Sequence, residues 1–421
     1  GAQPVGQQRD IPGLIQAPLW GMGRVVAEEL PVMWGGLIDL DPLETAAASA
    51  DRLFDEISEP DHERQVAYRV GQRYAARLVS KPVRAADAVS LRWRPDASYL
   101  ITGGLGDLGL QVARWMVRQG ARQIILVGRS EMPPRAHWSV VDEENPRLAG
   151  QVEAIREMEQ NGARILLASA DVSKPLAIEN VLSSAEGEGW PPVRGVVHAA
   201  GVVDAQQLMD LDISKLQEAL EPKVSGTWFL HKAFEGAPLD FFVNFSSAAS
   251  LLGSPLLASY AAANAFLDAI THHRRATKQV ALTVNWGFWD EVGMVARSQR
   301  EMGRGFAPQG MFSFSPQQGL AALEQLLKEG ATQTAVIPAD WPQWWQFHPR
   351  AAQSSLFADL VQMEMGIGRD ETIAEPIKES TISRQIIRDA TEADRPKLIE
   401  EFLADQLSRV LRMSPDELDI R

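Results

Sequence analysis

The sequence predicts an α/β protein whose main part, residues 95–350, is a doubly wound parallel sheet covered by helices on both faces. From residue 98 onward, short apolar segments alternate with longer amphipathic segments, a pattern typical of parallel strands joined by helical crossovers. The apolar segments are unbroken, as expected for strands that are buried on both faces. A glycine-rich turn follows the first strand and begins a helix, which is how such a sheet usually starts.

The predicted elements follow one another in a regular order. Strands are expected at 98–104, 122–130, 164–173, 193–201, 239–247, 280–287 and 333–340, and helices at 108–120, 152–163, 175–186, 211–234 and 260–278. Each of the first five strands is followed by a helix long enough to cross back over the sheet, so the strands can all run in the same direction.

The two flanking parts have a different character. Residues 1–94 contain a helix-like run, an apolar strand that ends at Asp41, a second helix and further strand-like runs. Their opening reads as the end of a domain that begins earlier. Residues 351–390 turn polar and irregular and are expected to form a linker. Residues 391–421 contain one well-patterned helix, too little for an independent core, and are expected to begin a longer domain.

The composition excludes several classes of protein. The chain has 421 residues, 45% of them hydrophobic, with a formal net charge of −14, which argues against nucleic acid or an anionic membrane as a partner. It has no cysteine, and its 7 histidines show no metal-binding spacing, so no metal site is expected. The sequence has no long apolar run and no signal-peptide pattern, and it therefore predicts a cytoplasmic protein.

A candidate dinucleotide site lies at the first strand–helix turn. Gly104, Gly106 and Gly109 form a GxGxxG array there, which allows a tight turn and lets a pyrophosphate approach the positive end of the helix. Arg129 stands at the end of the second strand, where an NAD site would carry an acidic residue, so NADPH is favoured over NADH. Taken singly, the glycines could serve packing and Arg129 could be an ordinary exposed arginine.

Two further turns lie where the rest of a dinucleotide would rest in this fold. Asp171 and Val172 follow the third strand, and the HAAG stretch at 198–201 follows the fourth. Asp171 could accept a hydrogen bond from the adenine amine, and Val172 could lie against the adenine ring. Both stretches are also composed of residues that are common in turns.

Four side chains with complementary chemistry are predicted to meet at the carboxyl edge of the sheet. Ser247 ends the fifth strand, Tyr260 and Asn264 lie one turn apart on the next helix, and Lys223 lies on the preceding helix. An ammonium about 4 Å from the phenol, at an effective dielectric of about 20, would stabilise the phenolate by about 4 kcal/mol and so lower its pKa. Tyr260 could then protonate a carbonyl oxygen that is hydrogen-bonded to Ser247, as a hydride arrives from the nicotinamide. Asn264 could position Lys223 through a water molecule.

Each of these four residues also has a structural explanation. Ser247 could cap a turn, and Lys223 could be a solvated helix lysine. Asn264 could face solvent, and Tyr260 could be a half-buried aromatic residue. The combination of all four behind a dinucleotide loop is what favours catalysis.

The motifs resemble the ketoreductase domains of modular type I polyketide synthases, within the short-chain dehydrogenase/reductase superfamily. The stretches YLITGGLGDLG, VVHAAGVVD, PKVSGTWFLH, YAAANAFLDA and VNWGFWDEVGM occur in the family's order. The resemblance implies a Rossmann fold, bound NADPH, and catalytic roles for the four residues above. It implies cofactor contacts from Thr102, Gly103, Gly104, Leu105, Gly106, Leu108, Gly109, Arg129, Ser130, Asp171, Val172, Ala199, Ala200, Gly201 and Lys223.

The flanking parts resemble neighbouring pieces of the same synthases. Residues 1–94 look like the end of the family's catalytically silent structural subdomain, a partial second Rossmann-like unit. Residues 391–421 look like the first helix of an acyl carrier domain, without the serine that bears phosphopantetheine. The resemblance implies that the substrate is a β-ketoacyl chain tethered to a carrier protein through phosphopantetheine. The expected partners are this carrier and the other domains of the synthase.

The sequence motifs indicate the configuration of the product alcohol less clearly than they indicate the reaction. The expected substrate and stereocontrol residues are Asp204, Leu252, Pro255, Trp286 and Met294. The family's Leu-Asp-Asp motif for the D alcohol lacks its final Asp here, and Leu252 stands where the opposite class carries a tryptophan. Pro255 favours the D-configured, B-type outcome.

Three further segments have a functional interpretation beside a structural one. The basic run 272–278 could dock an acidic carrier domain through Arg274 and Arg275, or it could place cations at a helix C-terminus. The glycine-rich segment 291–316 is expected to be a mobile lid. The tryptophans in 341–349 could form a ligand cage, although clustered tryptophans more often fill a core or an interface.

Three functions therefore stay open: an active reductase, a silent Rossmann scaffold that organises neighbouring synthase domains, and a free-standing reductase of sugars or steroids. The intact set of Lys223, Ser247, Tyr260 and Asn264 favours the first. The segments before residue 95 and after residue 390 argue against the third.

Overall fold

The computed structural model describes residues 1–6, 11–59, 61–81, 93–140, 145–290, 310–366, 390–391 and 394–400. The backbone divides into two compact units, 1–360 and 361–421. The first unit contains both the N-terminal part and the main sheet.

The N-terminal part is a small α/β layer. Its elements are α1 (Pro18–Glu29), β1 (Leu37–Asp39), α2 (Ala46–Ser58), β2 (Gln65–Arg69) and β3 (Gln72–Ala75). β1 and β2 pair in parallel, and β2 and β3 form an antiparallel hairpin. Thr45 caps α2 because its hydroxyl accepts the Ala48 N–H. A partial Rossmann-like unit was expected here, and the parallel β1–β2 pair joined through α2 agrees with it.

The main part contains nine strands and eleven α-helices among its described residues up to residue 365. The strands are β4 (Ser98–Thr102), β5 (Gln123–Gly128), β6 (Arg164–Ser169), β7 (Val193–His198), β8 (Phe241–Ser247), β9 (Leu282–Trp286), β10 (Phe288–Trp289), β11 (Ser313–Phe314) and β12 (Gln333–Val336). The helices that precede β9 are α3 (Asp107–Arg118), α4 (Pro146–Gln160), α5 (Ala177–Gly187), α6 (Ile213–Leu220), α7 (Gly226–Ala233), α8 (Ala249–Leu252) and α9 (Ala258–Ala276). They are followed by α10 (Pro316–Lys328), α11 (Trp341–Phe347), α12 (Pro349–Gln353) and α13 (Ala358–Met365).

Seven of these strands form one parallel sheet in the order β12-β9-β8-β7-β4-β5-β6. The order reverses between β4 and β7, which is the switch point where a doubly wound sheet binds ligands at its carboxyl edge. The predicted fold class is therefore confirmed. The central strands are buried on both faces because helices cover both sides of the sheet.

Helix α9 lies between the N-terminal part and the main sheet and packs against both. Fourteen of its residues are buried, as expected for a helix that is apolar or small all round. α1 packs against it so closely that a Cβ at Gly21 would lie 2.1 Å from the Ala261 carbonyl oxygen. Glycine is therefore required at position 21, and the N-terminal part is packed directly on the helix that carries Tyr260.

The sequence analysis did not predict several of the helices. α10 is a regular amphipathic helix with a capping box between Ser315 and Gln318. The segment expected to be a linker from residue 351 instead continues as α12, a short 3-10 helix and α13, with Phe357 in the core. Its polar composition misled because only a few apolar side chains are needed to fix short helices against a core.

The second unit is described over 361–366, 390–391 and 394–400. Residues 395–400 are helical, in agreement with the predicted helix. Most of the predicted carrier-domain helix, and all of residues 401–421, lie outside the described residues.

Candidate active site

The glycine-rich loop forms a compact turn between β4 and α3. Gly103 has a φ of +67°, a conformation that favours glycine. A Cβ at Gly109 would lie 2.3 Å from the Gly103 carbonyl oxygen, so the helix can start this close to the strand only with glycine there. A Cβ at Gly106 would meet only that same oxygen, at 3.1 Å. The loop is thus closed on its inner side and open at Gly106, the helix N-cap, as a pyrophosphate site requires.

The other predicted loop residues support the turn from inside. Thr102 is buried, and its hydroxyl lies 2.6 Å from Nδ1 of His198 on β7. Leu105 is buried, Leu108 packs on the core, and a Cβ at Gly104 would meet the backbone of Ile101. These residues shape the loop and leave the contact with a cofactor to its backbone.

Gln151 supports the glycine-rich loop from outside it, and the sequence analysis missed this residue. Its side chain lies on α4 and is buried, and its amide donates to the Leu105 carbonyl at 2.7 Å. A buried glutamine on an otherwise amphipathic helix is the signal that could have found it, because a buried amide needs a partner.

Arg129 and Ser130 lie exposed directly after β5. The Ser169 hydroxyl donates to the Arg129 carbonyl, which ties the ends of β5 and β6 together. The Arg129 side chain is exposed, and its charge acts on Asp171 in the loop after β6. It is therefore available to an anionic group on a ribose.

Asp171 and Val172 differ in what they can offer. Burial acts to raise the pKa of Asp171, but hydrogen bonds from Ser173 and the charges of Lys174 and Arg129 keep it below its ordinary value. Val172 is only 5% exposed and packs against Gly226. The Asp171 carboxylate can accept a hydrogen bond, whereas little of the Val172 side chain is free to lie against an adenine ring as expected.

Ala199, Ala200 and Gly201 follow β7 at the switch point and are half-buried. The Ala199 N–H donates a hydrogen bond to the Thr102 backbone carbonyl at 3.1 Å. A Cβ at Gly201 would lie 2.7 Å from Cε of Lys223. The Lys223 side chain therefore extends past Gly201 toward the site, and a larger residue at position 201 would block it.

Lys223 lies in a single π-helical turn, Glu221–Ser225, between α6 and α7. Such turns are often found at functional sites because they re-aim a side chain. The lysine is 3% exposed, and its Nζ donates to the Phe245 carbonyl at 2.8 Å. Burial lowers the pKa of Lys223 to about 7, against the opposing charge of Asp268.

Tyr260 lies in the first turn of α9, and Lys223 Nζ is 5.9 Å from the centroid of its ring. The two residues are therefore on the same side of the sheet, as the catalytic interpretation demands. Burial raises the pKa of Tyr260, although hydrogen bonds with the side chains of Ser247 and Asn264 oppose the shift. The expected net lowering of this pKa is not found, because burial of the phenol outweighs the hydrogen bonds that oppose it.

Asn264 and Ser247 complete the group. Asn264 is buried one turn along α9, and its amide donates to the Tyr260 carbonyl at 2.8 Å. Ser247 ends β8, and its hydroxyl accepts the Ala249 N–H at 3.2 Å. The fold thus brings together all four side chains that the sequence singled out.

A buried polar network beneath these residues was missed. The Asp268 carboxylate accepts hydrogen bonds from Asn285 and Ser250, each at 2.8 Å. Asn285 also donates to Ser246 at 3.1 Å. Burial raises the pKa of Asp268 to about 6. This network fixes the turn that carries Ser247, and asparagine and serine inside apolar strands were the signal for it.

The predicted substrate residues are spread more widely. Asp204 is exposed and pairs with Lys215 at 3.8 Å. Leu252 is half-buried at the end of α8, and Pro255 is exposed. Trp286 is 4% exposed and packs in an aromatic cluster whose nearest ring, Trp289, is 4.8 Å away. Trp286 is therefore a core residue and not a substrate wall, because the aromatic cluster buries it.

Met294 and most of the predicted lid lie outside the described residues. The described end of that segment is regular: β11 pairs in parallel with β10, and α10 begins at residue 316. The expectation of a lid over 291–316 is thus wrong for its last residues.

The basic run at the end of α9 is structural. Arg274 is 1% exposed and lies 4.0 Å from the Phe242 ring centroid. Arg275 donates to the carbonyls of Ala281 and Ala331. Neither guanidinium is available for the docking patch considered above, because packing and backbone carbonyls already occupy both.

The tryptophan cluster in α11 is also structural. Trp344 and Trp345 are each 4% exposed. Trp344 packs against Trp341 and Phe357. The core interpretation is confirmed.

Two features are absent from the described residues. No helix there is both long and apolar enough to span a bilayer. No cluster of histidine and acidic side chains in the same residues has the arrangement of a metal site.

Comparisons with known proteins agree with this geometry. A family model for the KR domain matches residues 97–291. 6-Methylsalicylic acid synthase of Aspergillus terreus is 34% identical over 96% of this chain, which spans 22% of that synthase. The chain therefore spans about a fifth of the length of this curated relative.

Solved structures are similar over more of their length. One, described as the structure of A-type ketoreductases from a modular polyketide synthase, has a TM-score of 0.75 at 32% identity, with 87% of this chain and 73% of the other covered. Another, described as a C2-type ketoreductase from a modular polyketide synthase, has a TM-score of 0.69 at 28% identity, with 85% and 73% covered. The chain belongs to the ketoreductase domain family of modular polyketide synthases.

Proposed function

We propose that this chain is an NADPH-dependent reductase that converts a carrier-tethered β-ketoacyl thioester to the β-hydroxyacyl thioester during polyketide chain extension. The observation that carries the proposal is the meeting of Lys223, Ser247, Tyr260 and Asn264 at the carboxyl edge of the sheet. The glycine-rich loop opens at the same edge. An acid, an oxyanion donor and a dinucleotide site in one cleft are what carbonyl reduction by hydride transfer needs.

The residues fit a phosphorylated dinucleotide. The backbone around Gly106 and the N-terminus of α3 would hold the pyrophosphate. Arg129 would hold a 2′-phosphate, and the Asp171 carboxylate would accept from the adenine amine. Ala199, Ala200 and Gly201 border the space for the ribose next to the nicotinamide. When bound, NADPH supplies the hydride.

The side chains of the chain supply the rest of the reaction. Ser247 donates a hydrogen bond to the ketone oxygen as negative charge develops on it. Tyr260 transfers its hydroxyl proton to that oxygen, which completes the alcohol. The ammonium of Lys223 then stabilises the phenolate, and the buried Asn264 amide holds the first turn of α9 through the Tyr260 carbonyl. Because the pKa of Tyr260 is raised in the structure, it is protonated at neutral pH, as an acid must be.

The substrate and partners are inferred from the family. We infer a β-ketoacyl chain on the phosphopantetheine of an acyl carrier protein, with the other domains of the synthase as neighbours. Residues 1–94 would be the end of the structural subdomain, and 391–421 would begin a carrier domain. The position of α1 on α9 supports the first assignment, and the helical residues 395–400 agree with the second.

The function is tested by following NADPH oxidation with a 3-oxopentanoyl thioester. We expect absorbance loss that depends on both NADPH and the thioester, together with formation of the 3-hydroxy product. Binding of NADPH without any turnover, for this thioester and for cyclohexanone alike, would instead identify a silent scaffold.

We further infer the D-configured, B-type alcohol from Pro255 and from Leu252 in place of a tryptophan. The overall fold does not decide this, since structures described as A-type and as C2-type are both similar to the chain. Chiral chromatography of the 3-hydroxy product decides it. A predominantly L-configured alcohol would contradict the inference.

Reversing the charge at Arg129 should change the choice of cofactor. In Arg129→Glu the carboxylate would repel a 2′-phosphate and could accept from a ribose diol, so the preference for NADPH over NADH, as a ratio of kcat/KM, should fall about tenfold or more. Arg118→Glu is the control, since this exposed arginine lies at the far end of α3 and pairs with Glu157. An unchanged ratio in Arg129→Glu would remove Arg129 from the cofactor site.

Two loop glycines should respond differently to alanine. In Gly106→Ala the added methyl would lie 3.1 Å from the Gly103 carbonyl oxygen, a contact that a small backbone shift relieves, so we expect only a small fall in melting temperature while NADPH binding weakens about tenfold. In Gly109→Ala the methyl would meet the Gly103 carbonyl oxygen, so stability itself should fall by about 1–3 kcal/mol. Calorimetry of binding and thermal unfolding of both variants test this. Unaltered NADPH affinity in Gly106→Ala would place the pyrophosphate elsewhere.

A further inference from the structure

The last residue of α1, Glu29, connects two distant segments of the main part. Its Oε2 accepts the backbone N–H of Leu208 at 2.7 Å, and its Oε1 accepts the backbone N–H of Leu256 at 2.7 Å. Both are hydrogen bonds to a charged acceptor, which are about twice as strong as neutral ones. A single carboxylate thus clamps two loops that are 48 positions apart along the chain (256 − 208).

Both segments lie at the carboxyl edge of the sheet, where the candidate active site is. Residues 202–208 follow Gly201, the position beside Lys223, and contain Asp204. Residues 253–257 lead directly into α9, whose first turn carries Tyr260. One segment therefore continues from the lysine side of the cleft, and the other continues from the tyrosine side.

The two segments also touch each other. The Gln206 N–H donates to the Leu256 carbonyl at 2.9 Å, and Gln206 and Leu257 form an isolated parallel bridge. Leu256 has a φ of +67°, a strained conformation for a leucine. Such a conformation persists only where the surroundings hold it, and the Glu29 carboxylate on its N–H is one such restraint.

Helix α1 is itself held in place at this point. Arg24, on the same helix, donates to the Ser250 carbonyl at 2.5 Å and to the Gln65 side chain at 3.0 Å. Ser250 lies on α8, three residues after Ser247. The helix that carries Glu29 is therefore fixed relative to Ser247. Through the two hydrogen bonds of Glu29, the helix also fixes the positions of both loops.

We propose that Glu29 is a positioning residue that sets the presentation of the acyl substrate, because it fixes segments 202–208 and 253–257 relative to each other across the mouth of the cleft. The inference rests on the proposed ketoreductase function and adds a specificity role for a residue outside 97–291, the range of the family match. Glu29 touches no reacting group, so it acts on which face of the ketone meets the hydride and not on the chemical step.

Substitutions at Glu29 separate the two hydrogen bonds. Glutamine keeps one acceptor but turns an amide donor toward the second N–H, so Glu29→Gln releases one segment. Glu29→Ala releases both. Glu28→Gln is the matched control, because it removes the neighbouring charge on the same turn, where Arg350 is the opposing charge.

Five measured quantities test the proposal. Hydrogen exchange should show the Leu208 and Leu256 amides exchanging at least about fivefold faster in Glu29→Ala than in wild type. The enantiomeric ratio of the alcohol from the 3-oxopentanoyl thioester should fall by a similar factor, and KM for the thioester should rise. The kcat for cyclohexanone, which has no faces to distinguish, and the Kd for NADPH should stay within about twofold. Glu28→Gln should leave all of these unchanged.

Two outcomes would overturn the proposal. The first is an unchanged enantiomeric ratio in both Glu29 variants despite faster amide exchange. The second is an equal loss in kcat for cyclohexanone, NADPH binding and melting temperature, which would make Glu29 a folding residue. Absence of turnover in the wild-type chain would instead contradict the proposed function, and the amide exchange would still report whether the clamp exists.

Discussion

Tyr260→Phe is expected to lower kcat about a thousandfold, with the NADPH dissociation constant changed less than about twofold. The variant keeps the aromatic ring and removes the hydroxyl that would give its proton to the ketone oxygen. Hydride transfer would then leave an alkoxide without a proton donor in a buried site, which is costly. Steady-state kinetics with the thioester and calorimetry with NADPH measure the two effects.

Tyr74→Phe provides the matched control for this change. Its hydroxyl lies on β3 and donates to the exposed Gln72 side chain, so the same atom is lost from a tyrosine outside the group of four candidate residues. We expect wild-type kinetics from it. If Tyr260→Phe retained more than about a tenth of wild-type kcat, another residue would have to be the acid.

Lys223→Met is expected to lower kcat about a hundredfold or more and, at neutral pH, to make the protein more stable. The loss of activity follows because no cation would remain to stabilise the Tyr260 phenolate. The gain in stability follows because the native protein keeps an amine buried with a pKa of about 7, whereas an unfolded lysine has an ordinary value of 10.5. Methionine fills similar space without a charge to desolvate.

The stability difference should depend on pH with a definite sign. Between the native pKa of about 7 and the unfolded value of 10.5, the unfolded wild-type chain binds one proton more, so wild-type stability rises with pH in this window. The advantage of Lys223→Met should therefore be largest near pH 7 and below. It should shrink by up to about 1.4 kcal/mol per pH unit as the pH rises through the window.

Denaturant unfolding at about pH 7 and about pH 9.5 measures this difference. Lys232→Met is the control, since Lys232 lies exposed on α7 and pairs with Glu235. A stability difference for Lys223→Met that is the same at both pH values would mean that the lysine is not desolvated in solution. Full activity of the variant would remove it from the mechanism.

The strand–helix alternation and the motifs were readable from the sequence because they depend on local patterns. Buried parallel strands must be apolar throughout, and a pyrophosphate turn must carry glycine where a Cβ would strike backbone, as at Gly109. The candidate catalytic residues Ser247 and Tyr260 were identified by the same logic, since their strand and helix positions place them at one edge of the sheet.

The sequence was less reliable where a residue's role depends on its neighbours in space. Arg274 and Trp286 looked available for a partner or a substrate, and the structure buries both. The pKa of Tyr260 was expected to fall, yet burial raises it, because desolvation depends on everything packed around the phenol. No spacing in one chain encodes that surrounding volume.

By itself, then, the sequence determined the sheet, the glycine-rich loop and the choice of the four candidate side chains, because each follows from periodicity or from a motif within a single element. The tertiary structure alone decided what supports them: the Asp268 network, the π-turn that aims Lys223, and the Glu29 bonds to two loops. These contacts join elements far apart in the chain, and their energies exist only once the chain has folded.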